Sequence, residues 1–278
     1  MIHYTNRYPD KLSGSLARGL RLLSVLGSCG PELGLSKWAR AAGLDKATTY
    51  RLAQTLIQLG YVQRNHTSQT YRLGVRVLDL GFAYLASVNV REVALPYMQA
   101  LAAELNETVS LSVLDGTDIV YLERFRPKRL HVSVEVHVGS RLPAHCTSMG
   151  KALLAALPPE EREQRLASLR LEPWTPRTIT DRRVLASELD RVQHRGFAIN
   201  DEETVLGLRS VAAVIRDRNG CGAAALNVAV SAAVFSVPDL EIRIAPRLVA
   251  TVEQISAHLG WTPKEPMAAT HSTGIEES

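Results

Sequence analysis

The sequence predicts an α+β protein with two unlike domains, and three observations lead to this fold class. Residues 35–64 read as two short helices separated by a tight turn, and a hairpin follows them. From residue 91 onward strands and helices mix without regular alternation, which is typical of an antiparallel sheet flanked by helices. Hydrophobic residues make up 46% of the 278, enough for an ordinary core in each domain. We therefore divide the chain into a flexible tail (1–12), a first domain (13–74), a linker helix (75–90), a second domain (91–262) and a disordered tail (263–278).

The first helix is predicted to begin at Ser13. Apolar side chains recur along it at helical spacing at Leu16, Leu20 and Leu23, joined by Val25 and Leu26, and this recurrence predicts the helix. A glycine- and proline-containing stretch, residues 27–34, is predicted as a loop that ends the helix.

A helix-turn-helix is predicted directly after this loop. Its first helix ends at Gly43, and Asp45 is placed to cap the free amides of a second helix, Lys46 to Leu59. Ala39, Gly43 and Leu52 occupy the small, turn and core positions of the motif. This spacing indicates an element that reads DNA.

The second helix of the motif is expected to place Ala53, Leu56 and Leu59 against the core. Its first turns present side chains that suit base edges and phosphates in the major groove. The predicted DNA-contacting residues of this helix are Lys46, Thr48, Thr49, Tyr50 and Arg51.

The hairpin after the second helix, with strands at 61–64 and 71–73, predicts a wing. Its tip is suited to contact the sugar-phosphate backbone or the minor groove. Arg64 and Arg72 on the hairpin, together with Arg18 on the first helix, are expected to hold phosphates. The alternative is a hairpin that only packs against the helices.

Charge is unevenly spread along the chain. Residues 1–80 contain eleven Lys or Arg against four Asp or Glu, a balance of +7, whereas the whole chain carries +4 and the remainder therefore −3. A basic amino-terminal part and a mildly acidic remainder are consistent with an amino-terminal domain that binds a polyanion, joined to a second domain of a different kind.

Residues 74–88 predict a helix with more apolar surface than an isolated helix needs. Its apolar side chains are Val77, Leu78, Leu80, Phe82, Tyr84 and Leu85. Such a helix usually connects domains or pairs with another subunit. We expect a homodimer, because paired recognition helices read two half-sites.

The second domain is predicted from alternating and periodic stretches. Helices are expected at 93–105, 148–157, 159–169, 181–195 and 238–259, strands at 109–114, 119–124, 131–138, 197–200, 210–216 and 223–230, and a break at 139–143.

Composition excludes several classes of protein. No stretch approaches 18 consecutive apolar residues, and the amino terminus lacks an apolar signal core, so a cytoplasmic protein without a membrane span is expected. The three cysteines are widely spaced and form no Cys-x-x-Cys pair, which argues against structural disulfides and a cysteine-rich zinc site. No cofactor or metal is predicted.

A binding site for a small carboxylate is predicted where residues 146–151 open a helix. Free amides of Ser148 and Met149 at the positive end of the helix dipole, with the hydroxyl of Thr147 or Ser148, would hold the anion. Plain N-capping by Thr147 or Ser148 is the alternative, and the two are compatible. Leu130, Leu142 and Met149 are candidate apolar walls for a ring.

Further along the chain, Asn227 lies within the apolar run AAALNVAV, and Ala229 shares its strand face. A buried amide there needs hydrogen-bond partners, and a ligand would supply one.

No catalytic constellation is predicted. The acidic run Asp201 to Glu203 is expected to be solvated or to cap the next turn rather than to bind a metal. Cys146 is adjacent to His145, but sequence neighbours rarely point toward each other as a nucleophile and base must. We therefore expect a protein that is not an enzyme.

Three runs, SLARGLRLLSVL, PAHCTSMGKALLAAL and GFAINDEETVLGLRSVAAVIRDRNG, resemble the IclR family of bacterial transcriptional regulators across about residues 13–260. The resemblance implies a winged helix-turn-helix, a connecting helix and an effector-binding domain related to the GAF and profilin-like sensor folds. It also implies homodimers that often assemble into dimers of dimers, with double-stranded operator DNA and a small effector as partners.

Within the family, two segments, LPAHCTSMGKALLA and INDEE…GLRS, are most similar to the branch that controls aromatic-acid catabolism. Its members respond to 4-hydroxybenzoate, protocatechuate or 3-oxoadipate. The resemblance implies effector contacts at Asn200, Ser210 and Asn227. This chain departs from the branch at His145, where many relatives have Tyr, and at Cys221-Gly222, where charged or polar residues are commoner.

The favoured hypothesis is a ligand-responsive transcription factor that senses a small aromatic acid. One alternative is a regulator of the same family that senses a non-aromatic carboxylate such as 3-oxoadipate. Two further alternatives are a small-molecule-processing enzyme with a nucleic-acid-binding module, and a protein-interaction scaffold built on a winged helix.

Overall fold

The computed structural model describes residues 14–87, 89–126 and 136–262. Contacts divide the chain into two compact units, residues 1–87 and 88–278, which we call unit 1 and unit 2. The predicted tails, 1–12 and 263–278, lie outside the described residues, as does Leu130.

Unit 1 is a helix-turn-helix with a small sheet and one further helix. Its helices are α1 (Gly14–Ser28), α2 (Leu35–Ala42), α3 (Lys46–Gln58) and α4 (Val77–Ser87). Its strands are β1 (Leu33–Gly34), β2 (Val62–Asn65) and β3 (Thr70–Leu73), which form an antiparallel sheet in the order β1-β3-β2. The predicted helix-turn-helix and hairpin are confirmed, whereas β1 was expected to be part of a loop.

The turn between α2 and α3 has the conformation that its glycine and its capping aspartate favour. Gly43 adopts φ 65°, in the left-handed region that glycine enters without a steric penalty. The Leu44 amide donates to the Ala39 carbonyl at 2.9 Å, and Asp45 Oδ1 accepts from the Thr48 amide at 2.8 Å. Hydrogen bonds from the Thr48 amide and hydroxyl hold the pKa of the Asp45 carboxyl below its usual range.

The core of unit 1 is built around Trp38, which is fully buried. Its indole Nε1 donates to the Leu22 carbonyl at 2.9 Å, and its ring lies 5.2 Å from the Tyr71 ring. This packing turns Leu22 and Leu26 of α1 inward.

The prediction that Leu59 faces the core of unit 1 is wrong, and two leucines of the first helix are exposed as well. Leu16 and Leu20 of α1 are 65% and 48% exposed, and Leu59 after α3 is 47% exposed. Leucines along α1 offer more than one stripe at helical spacing, and the docking of Trp38 selects the stripe that contains Leu22. The predicted helix itself is confirmed.

Helix α4 exposes a large apolar surface, as predicted. The exposed side chains on or next to it are Val75, Leu78, Leu80, Phe82 and Tyr84. The side chain of Leu85 lies outside the described residues. Pairing of this surface with a second copy stays a prediction.

Unit 2 is a six-stranded sheet with helices on both faces. Its helices are α5 (Asn89–Leu105), α6 (Ser148–Ala155), α7 (Pro159–Ser168), α8 (Arg182–Arg195), the single turn α9 (Val237–Asp239) and α10 (Ala245–His258). Its strands are β4 (Thr108–Asp115), β5 (Asp118–Phe125), β6 (Arg141–Pro143), β7 (Ala198–Asp201), β8 (Leu208–Arg216) and β9 (Gly222–Ser231).

The strands of unit 2 are all antiparallel to their neighbours and lie in the order β6-β5-β4-β9-β8-β7. The predicted break at 139–143 contains a strand, β6, because its residues pair with Asp118 to Val120. The strand predicted at 131–138 falls largely outside the described residues, and its described part, 136–138, is not a strand. The predicted final helix includes a π-helical turn, Leu240–Ile244, between α9 and α10.

Candidate functional site

Unit 1 exposes most of the side chains predicted to contact DNA. Lys46 and Arg51 on α3 are exposed, and Tyr50 is 46% exposed. Thr48 is half-buried, as expected for a side chain beside the cap of the helix. The start of α3 thus presents two cations and a phenol to solvent.

Thr49 contradicts the prediction that it projects outward. It is fully buried, and its Oγ1 donates to the Asp45 carbonyl at 2.8 Å. Thr49, Ala53 and Leu56 are spaced by four and three residues, so they share the face of α3 that packs on the core. A side chain in this position cannot reach a base edge.

The wing presents Arg64 and Arg72. Arg72 is exposed, and its Nε donates to Gln63 Oε1 at 3.1 Å across the hairpin. The half-buried Arg64 donates to Gln69, and its guanidinium lies 5.8 Å from the centre of the Tyr71 ring. The hairpin packs on the helices through Tyr71, whose ring contacts Trp38, and it keeps two cations near its surface. Contact of these cations with DNA stays a prediction.

In unit 2 the sheet register gathers most of the predicted ligand-binding residues on one face. Asn200 pairs with Ser210, and Ser210 pairs with Ala229. Asn227 lies in the next row, between Ala212 and Ser110. Directly paired residues of adjacent strands point to the same face. Helix α6 covers this face through Met149, Ala152 and their neighbours.

The start of α6 is held by the predicted cap. Thr147 Oγ1 accepts from the Gly150 amide at 3.1 Å, and the Ser148 and Ser210 hydroxyls are 2.7 Å apart. One proton of the two hydroxyls is used in that bond, so the pair keeps one proton to donate to a further group. Met149 is 1% exposed and accepts from the Ser112 hydroxyl at 3.1 Å.

Asn200 is buried and already well satisfied. Its Nδ2 donates to the Cys146 carbonyl at 2.9 Å and to Thr204 Oγ1 at 3.0 Å, and its Oδ1 accepts from the Glu203 amide at 2.9 Å. Both amide protons are therefore committed to the protein, and a single lone pair is left for a ligand. Asn200 joins the segment before α6 to the loop after β7.

Asn227 has the opposite character. It is 6% exposed, and its Oδ1 is buried without a hydrogen-bond partner among the described residues. A buried acceptor in this state costs about 1–3 kcal/mol. Leu142 lies in the same core cluster as Met149, so these two predicted apolar walls share one side of the sheet.

Sequence reasoning missed a buried ion pair beside these residues. Lys151 of α6, 1% exposed, contacts Glu203, 4% exposed. Burial raises the pKa of the Glu203 carboxyl, and the Lys151 ammonium offsets part of that rise. The available signal was a single lysine within the otherwise small or apolar helix SMGKALLA.

The acidic run 201–203 was predicted to be solvated or to cap the next turn, and its three members differ: Asp201 is partly exposed, Glu202 accepts from a backbone amide of the following turn, and Glu203 is buried. Asp201 accepts from Arg209 Nε at 2.6 Å and from Arg177 Nη1 at 2.7 Å. Glu202 Oε2 accepts from the Gly207 amide at 2.8 Å. Gly207 and Arg209 lie within eight residues of the run, whereas Arg177 comes from a separate segment and was not predictable from the local sequence.

His145 and Cys146 do not form a nucleophile–base pair. Both side chains are fully buried, and His145 Nε2 lies 3.1 Å from the Glu172 carbonyl oxygen. Burial lowers the pKa of His145, and it raises the pKa of the Cys146 thiol to about 12. A thiol in this environment remains protonated and unreactive at neutral pH.

The three cysteines should differ in reactivity. Cys29 and Cys221 are exposed, whereas Cys146 is buried with a raised pKa. We expect a thiol reagent such as dithionitrobenzoate to label two thiols of the native protein at pH 8, and a third only after denaturation. Rapid labelling of Cys146 in the native protein, located by peptide mass mapping, would contradict the buried position of this residue.

Within the described ranges no helix is long and apolar enough to cross a membrane. The same residues contain no group of three or more His, Cys, Asp or Glu side chains that could hold a metal ion.

Family profiles match both units of the chain. Residues 15–66 match the IclR helix-turn-helix domain, and residues 82–257 match the bacterial transcriptional regulator IclR C-terminal domain. The second match alone spans more than half of the chain.

Individual relatives match along most of their length. The Pca regulon regulatory protein of Pseudomonas putida is 35% identical over 251 residues, which cover 90% of this chain and 85% of the relative. The p-hydroxybenzoate hydroxylase transcriptional activator of Acinetobacter baylyi is 33% identical over 225 residues, with 80% and 82% covered. A crystal structure of an IclR homolog from Microbacterium hydrocarbonoxydans, complexed with 4-hydroxybenzoate, superposes with a TM-score of 0.76 at 28% identity, covering 88% of this chain and 99% of that one.

Proposed function

Because the chain belongs to the IclR family of bacterial transcriptional regulators, we propose that it senses a small aromatic acid and controls genes for the catabolism of such acids. Relatives named for the Pca regulon and for p-hydroxybenzoate hydroxylase support this proposal, as does the homolog that binds 4-hydroxybenzoate. The observation that carries it is the polar cluster under α6, where buried hydrogen-bonding groups lie against apolar walls.

Unit 1 would bind double-stranded operator DNA. Lys46, Tyr50 and Arg51 on α3 lie where a recognition helix contacts the major groove, and Thr48 lies beside them. Arg18, Arg64 and Arg72 would hold phosphates. Several phosphate contacts make affinity fall steeply with added salt, which separates DNA binding from a protein-interaction role.

Replacing Arg51 with alanine should weaken operator binding about tenfold, within the roughly 1–3 kcal/mol typical of an arginine that reads a base. The reason is that Arg51 is exposed near the start of α3. Gel-shift titration against DNA from upstream of the protein's own and neighbouring genes measures the effect.

Two variants serve as controls for Arg51→Ala. Arg247→Ala removes the same charge from α10 of unit 2, where the side chain is 53% exposed, and should leave operator affinity unchanged. Thr49→Val keeps the shape of a buried side chain and should leave operator preference unchanged, whereas Thr48→Val should alter it. An Arg51→Ala protein that binds as tightly as the parent would remove this residue from the interface.

The effector would bind under α6 with its carboxylate at the start of that helix. The Ser148 and Met149 amides and the spare proton of the Ser148–Ser210 pair would hold the anion, beside the cap at Thr147. Met149 and Leu142 would contact the ring, with Ala229 and Asn227 on the sheet below it. The remaining lone pair of Asn200 would be the weakest of these contacts.

Ligand binding would act on DNA binding through a shift between arrangements of the subunits. A ligand changes such an equilibrium only if it binds one arrangement better than the other. We propose that the apolar surface of α4 forms a homodimer that joins two heads, with further assembly into dimers of dimers. Cytoplasmic localisation follows from a chromosomal DNA target.

Calorimetric titration with 4-hydroxybenzoate, protocatechuate, 3-oxoadipate and an acetate control tests the effector class. Binding of an aromatic acid with release from, or altered affinity for, the operator supports the proposal. Binding of 3-oxoadipate alone would favour a regulator of the same family that senses an aliphatic acid. Conversion of any of these acids to product would favour an enzyme.

A further inference from the structure

Two buried atoms on the covered face of the sheet lack hydrogen-bond partners among the described residues. One is the acceptor Asn227 Oδ1, and the other is the donor Arg124 Nε. Buried polar groups are nearly always satisfied, so an orphaned donor and an orphaned acceptor on one face of a sheet indicate a missing group.

The sheet register places these two residues in one row. Asn227 on β9 pairs with Ser110 on β4, and Ser110 pairs with Arg124 on β5. The three side chains therefore point to the same face, and the outer two lie about 10 Å apart at the backbone. An arginine side chain is long enough to extend part of the way across that gap, which leaves room for one small group between the two orphaned atoms.

The guanidinium of Arg124 donates a hydrogen bond to the backbone, but it forms no ion pair within the described residues. Its Nη1 donates to the Val136 carbonyl at 3.4 Å, and no carboxylate of the described ranges pairs with it. Burial and the neighbouring Arg126 lower the pKa of Arg124, as expected for a cation that lacks a counter-charge.

We propose that Arg124 and Asn227 together bind a hydroxyl group of the effector. A ring hydroxyl donates its proton to Asn227 Oδ1 while its oxygen accepts from Arg124 Nε, so one group satisfies both orphaned atoms. This inference rests on the proposed function, because it assumes that the effector lies under α6. Arg124 thereby becomes a specificity-determining residue that selects hydroxybenzoates over unsubstituted benzoate.

The geometry agrees with a carboxylate at the opposite end of the same molecule. Ser210 lies one row from Asn227 on the neighbouring strand, a diagonal of about 7–8 Å. That diagonal suits a single benzene ring with substituents at opposite ends. A dicarboxylate would instead place a second acceptor against Asn227 Oδ1, which disfavours it.

The wild-type protein provides the first test without any substitution. Calorimetric titration with 4-hydroxybenzoate, 4-fluorobenzoate and benzoate should show 4-hydroxybenzoate binding at least about tenfold tighter than the other two, because a site built for a hydroxyl rejects analogues that lack it. Fluorine accepts weakly and cannot donate, so it leaves the acceptor Asn227 Oδ1 unsatisfied. Adipate serves as the dicarboxylate probe.

Variants assign the preference to the two residues. Arg124→Met and Asn227→Leu keep side-chain size and should bring the ratio of the 4-hydroxybenzoate and benzoate affinities toward one, because each variant removes a partner of the hydroxyl group. Arg126→Met is the matched control, because Arg126 directly follows β5 and donates to the same Val136 carbonyl at 3.0 Å. Its ratio should equal that of the wild type.

Each contrary outcome has a distinct meaning. Equal wild-type affinity for benzoate and 4-hydroxybenzoate overturns the hydroxyl site and leaves aromatic-acid sensing intact. An equal fall of the ratio in Arg124→Met and Arg126→Met assigns the effect to the Val136 contact and overturns the role of Arg124. Tighter binding of adipate also overturns the inference, and binding of no aromatic acid overturns both this inference and the proposed effector class.

Discussion

Replacing Lys151 with methionine is expected to lower the free energy of unfolding by about 3–5 kcal/mol at neutral pH. Lys151 and Glu203 are 1% and 6% exposed at their side chains, and Glu203 Oε2 has no partner among the described residues. Loss of the ammonium therefore leaves a carboxylate that is shielded from water and has no counter-charge. Urea denaturation followed by circular dichroism measures the change.

The loss should depend on pH, because Glu203 has a raised pKa in the folded protein. The folded state then holds the proton more tightly than the unfolded state, so stability falls as pH rises from the ordinary value of 4.5 through the raised pKa. Without Lys151 the pKa of Glu203 rises further. The deficit of Lys151→Met should thus be smaller at pH 4.5 than at pH 7.5, and a deficit of equal size at both would contradict the assignment.

Two controls separate burial from charge. The double variant Lys151→Met, Glu203→Gln should recover most of the lost stability, because a buried ion pair contributes little compared with neutral replacements of similar volume. Arg247 and Glu104 form a pair at the surface, with side chains 53% and 58% exposed. Arg247→Met should cost no more than about 1 kcal/mol.

Local sequence signals predicted the features that local geometry determines. Gly43 and Asp45 specify the turn and cap of the helix-turn-helix, and Thr147 specifies the start of α6, because each acts within three or four residues of itself. The alternating strands β8 and β9 were predicted for the same reason, and their pairing brings Ser210 to the same face as Asn227.

Features that depend on packing were not predictable from the same signals. Thr48 and Thr49 differ by one position, yet the core that α3 docks against buries Thr49. Glu203 is buried against Lys151 of α6, and the sheet places Arg124 in one row with Asn227 of β9, and both of these partner segments are far away in sequence. One sequence indicates the spacing of apolar residues in each helix or strand. Which face is buried, and which segments pack against it, depend on tertiary contacts.

Gly150→Ala is expected to destabilise unit 2 by on the order of 3 kcal/mol, although alanine ordinarily favours a helix over glycine by about 1 kcal/mol. A Cβ at this position would lie 2.2 Å from the Ala144 carbonyl oxygen and 2.3 Å from its Cα. Both are backbone atoms, so either the start of α6 or the turn before it must move. That movement shifts Ser148 and Met149, so effector affinity should fall with stability.

Gly19→Ala provides the matched control, since Gly19 also lies inside a helix and no described atom stands within 4 Å of the point that an alanine Cβ would occupy there. The same substitution should therefore stabilise α1 slightly, by up to about 1 kcal/mol. Denaturation curves of the two variants, with calorimetric titration of 4-hydroxybenzoate, compare them directly. A Gly150→Ala protein as stable as Gly19→Ala would mean that the turn at Ala144 yields easily, and that close packing of this turn does not fix the start of α6.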